Sequence, residues 1–168
     1  RARPRTGPRR QRPVTPAPDA PTRDIANRAD IEHLVRAFYR DAATDDRLGP
    51  IFDTAQVDWP AHIDTLTAFW AWQLLGERGY HGNPLRAHAP IHERNPFTEA
   101  DFARWLDLFT ATVDHQFAGP TADAAKQRAA KMASALHRLL DQRDEPGDQP
   151  VTPHLARAAG RSQPPPSP

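Results

Sequence analysis

WPAHIDTLTAFWAWQLLGERGYHGNPLRAHAPIH, residues 59–92, sets His62 early in an aromatic amphipathic segment and His88 beyond a break rich in glycine and proline. His62, Leu66, Phe69, Trp70 and Gln73 fall at i, i+4, i+7, i+8 and i+11, one stripe of an α-helix. The His62 imidazole therefore points where the apolar side chains point. Pro60 suits a first helical turn, where its missing N–H would have had no partner, and Asp58 just upstream can accept from the free amides. Gly76 and Gly79 end the run, and Pro84 restarts a single helical turn carrying Leu85 and His88. Two imidazoles on separate elements, with apolar surface between them, suggest a flat metal cofactor held in an apolar slot.

Helical spacing continues on both sides of this stretch. Upstream, Ile31, Leu34, Val35, Phe38 and Ala42 mark a buried face with Tyr39 beside it, and Asp30 is the expected N-cap. Leu48-Gly49-Pro50-Ile51-Phe52 breaks the period with a turn whose apolar tip, Phe52, must be buried. Downstream, Ala89 to Phe97 contains Pro90 and Pro96 and reads as a loop. Thr98 with Asp101 three residues on resembles a capping box, and Phe102, Trp105, Leu106, Phe109, Val113 and Phe117 form the stripe that follows. Gly119-Pro120 stops that helix. Thr121 is then expected to cap an alanine-rich helix with Ala125, Ala129, Met132, Ala133, Leu136 and Leu140 facing inward. No period-2 run, hairpin dipeptide or repeat occurs, so the fold class is all-α, with four substantial helices and one short turn.

Composition divides the 168 residues into three. Residues 1–24 hold six prolines and seven arginines with almost no large apolar side chain, too little to offset the entropy of ordering, and read as a disordered arm. Residues 146–168 hold seven prolines and read as a disordered tail, which leaves 25–145 for one domain. Seven cations against two anions in the arm, and two against one in the tail, leave 13 against 18 in the domain: an acidic body with a basic arm. The arm is read as a solvated extension, with neither nucleic acid nor membrane as partner. Arg9-Arg10 is followed by no apolar run, so it does not read as an export signal, and no stretch is long enough to span a membrane. The absence of cysteine excludes disulfides, thiolate metal sites and a cysteine nucleophile, and makes the cytoplasm the expected location. A monomer is expected.

The aromatic residues also fit an ordinary bundle core. Tyr39, His62 and Trp105 stand apart, because these three polar-tipped groups lie on or beside the inward faces of three different helices. A buried hydroxyl or indole N–H needs a partner, and a ligand would be one. The residues admit a second arrangement, a zinc site of His62, His81, His88 and His92, although no HExxH motif accompanies it. His33, His115, His137 and His154 fall on polar faces or in the tail and read as solvated.

The segments FYRDAATDDRLGPIF, DWPAHIDTLTAFW, LLGERGYHGNPLRAH and FARWLDLFTATVDHQF together resemble the truncated haemoglobins, and among them the group III branch. The resemblance runs from about Asp30 to Leu140. It implies the truncated globin fold, a two-over-two helical sandwich around haem b (iron protoporphyrin IX). Matched position by position, it implies His88 as the proximal iron ligand, with Tyr39, His62 and Trp105 on the distal side where a ligand binds. Phe38 and Phe52 would pack against the haem. Beside the resemblance, Leu66, Phe69 and Phe109 from the inward stripes would complete the cofactor-binding set, and Arg86, two residues before His88, would either reach a propionate or stand exposed as an ordinary surface arginine. The implied function is reversible binding of a diatomic gas, oxygen or else nitric oxide or carbon monoxide. A haem enzyme such as a nitric oxide dioxygenase or a peroxidase would use the same residues, with a separate reductase, because no nucleotide or flavin motif is visible. A non-haem helical interaction module acting through the basic arm is the third class.

Overall fold

The computed structural model describes residues 23–144; the expectations for the arm up to residue 22 and for the tail from 146 onward lie outside the described residues. The chain forms α1 (Arg28–Ala43), α2 (Gly49–Ala55), α3 (Trp59–Leu75), α4 (Pro84–Arg94), α5 (Glu99–Gln116) and α6 (Pro120–Asp144), with no strand among the described residues.

The starts of these helices follow from side chains that satisfy the free amides of a first turn. Asn27, and not Asp30, caps α1: its side chain accepts from the Asp30 N–H at 3.1 Å. Asp30 is itself buried, and accepts from the Ala26 N–H at 3.0 Å and from the Arg23 guanidinium at 2.6 Å. Burial works against its charge, but these donors outweigh it and hold the carboxyl below the usual carboxylate range. Asp58 caps α3 through the Ala61 N–H, and α3 ends at Gly76, whose φ of 69° is the left-handed conformation glycine adopts without strain. Thr98 and Asp101 form the expected capping box on α5.

Leu48 to Phe52, expected as a turn with a buried tip, opens the helix α2, and Phe52 is half-buried. Two further segments depart from the sequence expectation. Ala89 to Phe97 is helical as far as Arg94, so the single turn expected after Pro84 is a helix of 11 residues. Pro90 removes one bond from the ladder. The helix nonetheless continues, because Ala89 and His92 are buried and the Arg94 side chain donates to the Pro90 carbonyl at 3.1 Å. The second departure is the start of α6. Asp24, rather than Thr121, serves its first turn, accepting from the Thr121 and Ala122 N–H groups, each at 2.8 Å. The Ala118 N–H donates to the Arg23 carbonyl at 3.0 Å, and the Arg23 guanidinium lies 5.0 Å from the centre of the Phe117 ring. Gly119 permits this approach: a Cβ there would sit 2.6 Å from the Asp24 Cγ, and its φ is +145°. Arg23 and Asp24, placed in the arm by composition, thus hold to the helical core.

The four long helices pack in two pairs, α1 with α3 and α5 with α6. The pairs meet where α1 lies on α5 and α3 on α6, while α4 packs on α6. Phe38, Trp70 and Phe109 are buried at the centre, each contributing roughly 1.5–3 kcal/mol through the apolar surface removed from water. The short helices α2 and α4 flank this core. Among the described residues, no helix is long and apolar enough to cross a membrane.

Candidate functional site

A cavity of ≈ 230 Å³ lies among α1, α2, α3, α4, α5 and α6, and its wall is mostly apolar. Of the residues singled out from the sequence, Tyr39, Phe52, His62, Leu66, Phe69, His88 and Trp105 line it. Phe38 and Phe109 do not; they stand behind the wall. Phe38 meets the rings of Tyr39, Trp105 and Phe109 edge-on at 4.7, 5.4 and 5.4 Å, and Phe109 is stacked between Trp105 at 5.3 Å and Trp70 at 4.8 Å. They fix the rings that face the cavity. Arg86 is exposed and lines no part of it.

His88 enters on α4, whose first turn is preset by Pro84 and capped by Asn83. Its Nδ1 lies 2.7 Å from the Pro84 carbonyl oxygen. A carbonyl only accepts, so Nδ1 carries the hydrogen, and in the neutral ring Nε2 keeps a lone pair. Burial pushes the His88 pKa down, the bond to Pro84 opposes this in part, and the ring is the neutral species at pH 7.

His62 stands on α3, with its ring 5.1 Å from Tyr39 and 6.0 Å from Trp59, edge to face in both cases. Its pKa is pushed down by burial and then by the charge His88 would carry, which places the two imidazoles within electrostatic reach of each other. The His62 Nε2 is buried with no hydrogen-bond partner in the protein, an arrangement that costs on the order of 1–3 kcal/mol unless a bound molecule supplies one. Burial pushes the Tyr39 phenol well up from its ordinary range, and the Trp105 indole draws it part of the way back, so these two polar groups adjoin and Tyr39 keeps its proton.

Among the described residues, no three His, Asp or Glu side chains gather to hold a metal ion. The four-histidine zinc arrangement is therefore not formed. His81 is exposed, and the His92 Nδ1 accepts from the Phe97 N–H at 3.0 Å. A metal placed here would have imidazole from His88 and would need most of its remaining ligands from a macrocycle. The mostly apolar wall of the cavity suits that requirement. His137, expected in solvent, is half-buried against Phe102 at 5.2 Å.

Several participants were not among the candidate site residues read from the sequence. Trp59 packs on Tyr39, Phe52 and His62, and it stands three residues before His62, so extending the stripe by one turn would have found it. Met132 and Leu136 belonged to a recognised inward face whose outlook onto a cavity has no local signal. Tyr80 and Phe97 lie outside any helical period, and only the fold brings them to the wall.

No family model matches the chain. Over 121 residues the chain is 33% identical to the group 3 truncated hemoglobin ctb of Campylobacter jejuni, a match covering 70% of this chain and 93% of that relative. The crystal structure of a group III truncated hemoglobin from Campylobacter jejuni superposes with a TM-score of 0.62 at 33% identity, covering 69% of this chain and 92% of that one.

Proposed function

We propose, since the chain belongs to the group III truncated haemoglobins, that it holds haem in the cavity through His88 and binds a diatomic gas reversibly on the side of Tyr39, His62 and Trp105. The state of His88 carries this reading: a neutral imidazole whose Nδ1–H is fixed on the Pro84 carbonyl at 2.7 Å, leaving Nε2 to act as a metal ligand at an apolar cavity. A hydrogen bond of this kind would orient a metal-binding histidine and raise its basicity. With no cysteine to form a thioether link, the haem would be held without a covalent bond to its vinyl groups, as haem b is.

When bound, haem iron with one imidazole ligand offers an open position to oxygen, nitric oxide or carbon monoxide. The protein's part is to hold that gas and keep water away. Tyr39 keeps its proton at physiological pH and offers an O–H, and the Trp105 indole can only donate. Their donors favour a gas that accepts hydrogen bonds. His62 brings a neutral ring whose buried Nε2 lacks a protein partner, which suits it to contact the gas or gate its path. Phe52 and Trp59 cover this side, while Phe38 and Phe109 prevent Tyr39 and Trp105 from turning away.

Titration of the purified protein with haem tests the reading. A one-to-one complex with a Soret band that shifts when the reduced protein meets carbon monoxide is expected. Stoichiometric haem uptake that fails, or a spectrum indifferent to carbon monoxide, would exclude it.

A further inference from the structure

A groove of ≈ 570 Å³ opens beside the cavity and shares Phe69, Tyr80, Pro84 and Met132 with it. Trp72 and Tyr80, stacked at 5.8 Å, form part of its wall. Arg128 and Lys131 line it too, three residues apart on α6 and both exposed. Neither makes an ion pair with a described residue, whereas Lys126 on the same helix pairs with Asp114 and Asp123. Among the described residues, and apart from the imidazoles of His62 and His88, the acidic and basic side chains lining cavity and groove together are these two cations and Asp101. Asp101 lines the cavity alone and is held as an anion by the Thr98 N–H and hydroxyl and by Arg47.

A haem is an apolar disc with two carboxylates on one edge. Seated with that edge towards Asp101, it would meet a carboxylate already paired with Arg47; seated with it in the groove, it meets two cations with no ion pair to a described residue, and solvent. Resting on the haem reading above, we propose that the haem carboxylates lie in this groove against Arg128 and Lys131, and that Arg86 takes no part. The cations then select one seating of the disc and slow its loss.

The test is the rate of haem transfer to an excess of an apoglobin acceptor, followed by the Soret band. Arg128→Gln and Lys131→Gln should each speed loss by about two- to fivefold, as exposed ion pairs do, and the double variant by about tenfold, with the salt dependence of the rate abolished. Arg86→Gln should leave the rate unchanged. Haem dimethyl ester should leave the wild-type protein as fast as haem leaves the double variant. Loss from the double variant at the wild-type rate, or acceleration by Arg86→Gln in its place, would overturn this seating while the wild-type Soret band left the haem reading intact. A wild-type protein that takes up no haem would overturn both.

Discussion

Removing the Tyr39 hydroxyl should loosen oxygen and spare carbon monoxide. Tyr39→Phe deletes one oxygen atom and keeps the ring, whose packing on Phe38 at 4.7 Å, His62 at 5.1 Å and Phe52 at 5.9 Å needs only carbon. The loss is then one hydrogen bond in a pocket shielded from water, about 1.4 kcal/mol, which corresponds to roughly tenfold faster oxygen release. Carbon monoxide accepts hydrogen bonds poorly, so its release should change far less. Trp105→Phe should act similarly, since stacking on Phe109 at 5.3 Å preserves the position of the ring. The two effects should fall short of additive, because the Trp105 indole adjoins the Tyr39 hydroxyl and loss of one donor alters the other. Stopped-flow release rates for both gases from the two single variants and the double variant measure this. Equal acceleration of oxygen and carbon monoxide would refute the hydrogen-bond explanation and assign the effect to altered access.

Three further outcomes concern the gate and the N-terminal clasp. His62→Leu should change the association rate of oxygen and carbon monoxide more than their release, which flash photolysis separates; a change confined to oxygen release would make His62 a third donor. Trimming the chain to 25–145 removes Asp24 from the first turn of α6 and should cost about 1–2 kcal/mol in urea unfolding, as lost helix caps do, whereas 23–145 should match the full chain. The same bond gives a pH signature. Burial raises the Asp24 pKa, but the Thr121, Ala122 and Ile25 amides lower it further, so its folded value lies below the unfolded one. Its contribution is complete above the unfolded pKa and is lost as pH falls through the folded one, so Asp24→Ala should flatten the acid limb of the stability profile.

Local patterns disclosed the helices and most of the cavity wall. The stripe from His62 to Gln73, the stop at Gly76 and the Thr98–Asp101 box are consequences of helical geometry within a few residues, and each appears where the spacing predicts. Asn27 displaces Asp30 as the cap of α1 because both residue types accept from amides. Only the fold shows Asp30 buried against Ala26 and Arg23 instead. Pro90 misleads by cost: the bond it removes argues for a loop, but the burial of Ala89 and His92 carries the helix past it. The Asp24 clasp joins residues 97 and 98 positions apart, a distance at which no periodic signal exists. Phe38 and Phe109 illustrate a further limit, since an inward stripe does not tell the ring that faces a cavity from the ring behind it.

The central claim is that the His88 Nε2 ligates the haem iron while its Nδ1 is fixed on the Pro84 carbonyl. The absorption spectrum of His88→Gly with haem, recorded before and after adding imidazole, tests it most directly. The expected result is a protein that binds haem weakly with an altered Soret band and regains the wild-type spectrum once imidazole fills the space left by the side chain. A variant that keeps the wild-type spectrum and haem affinity without imidazole would contradict the claim.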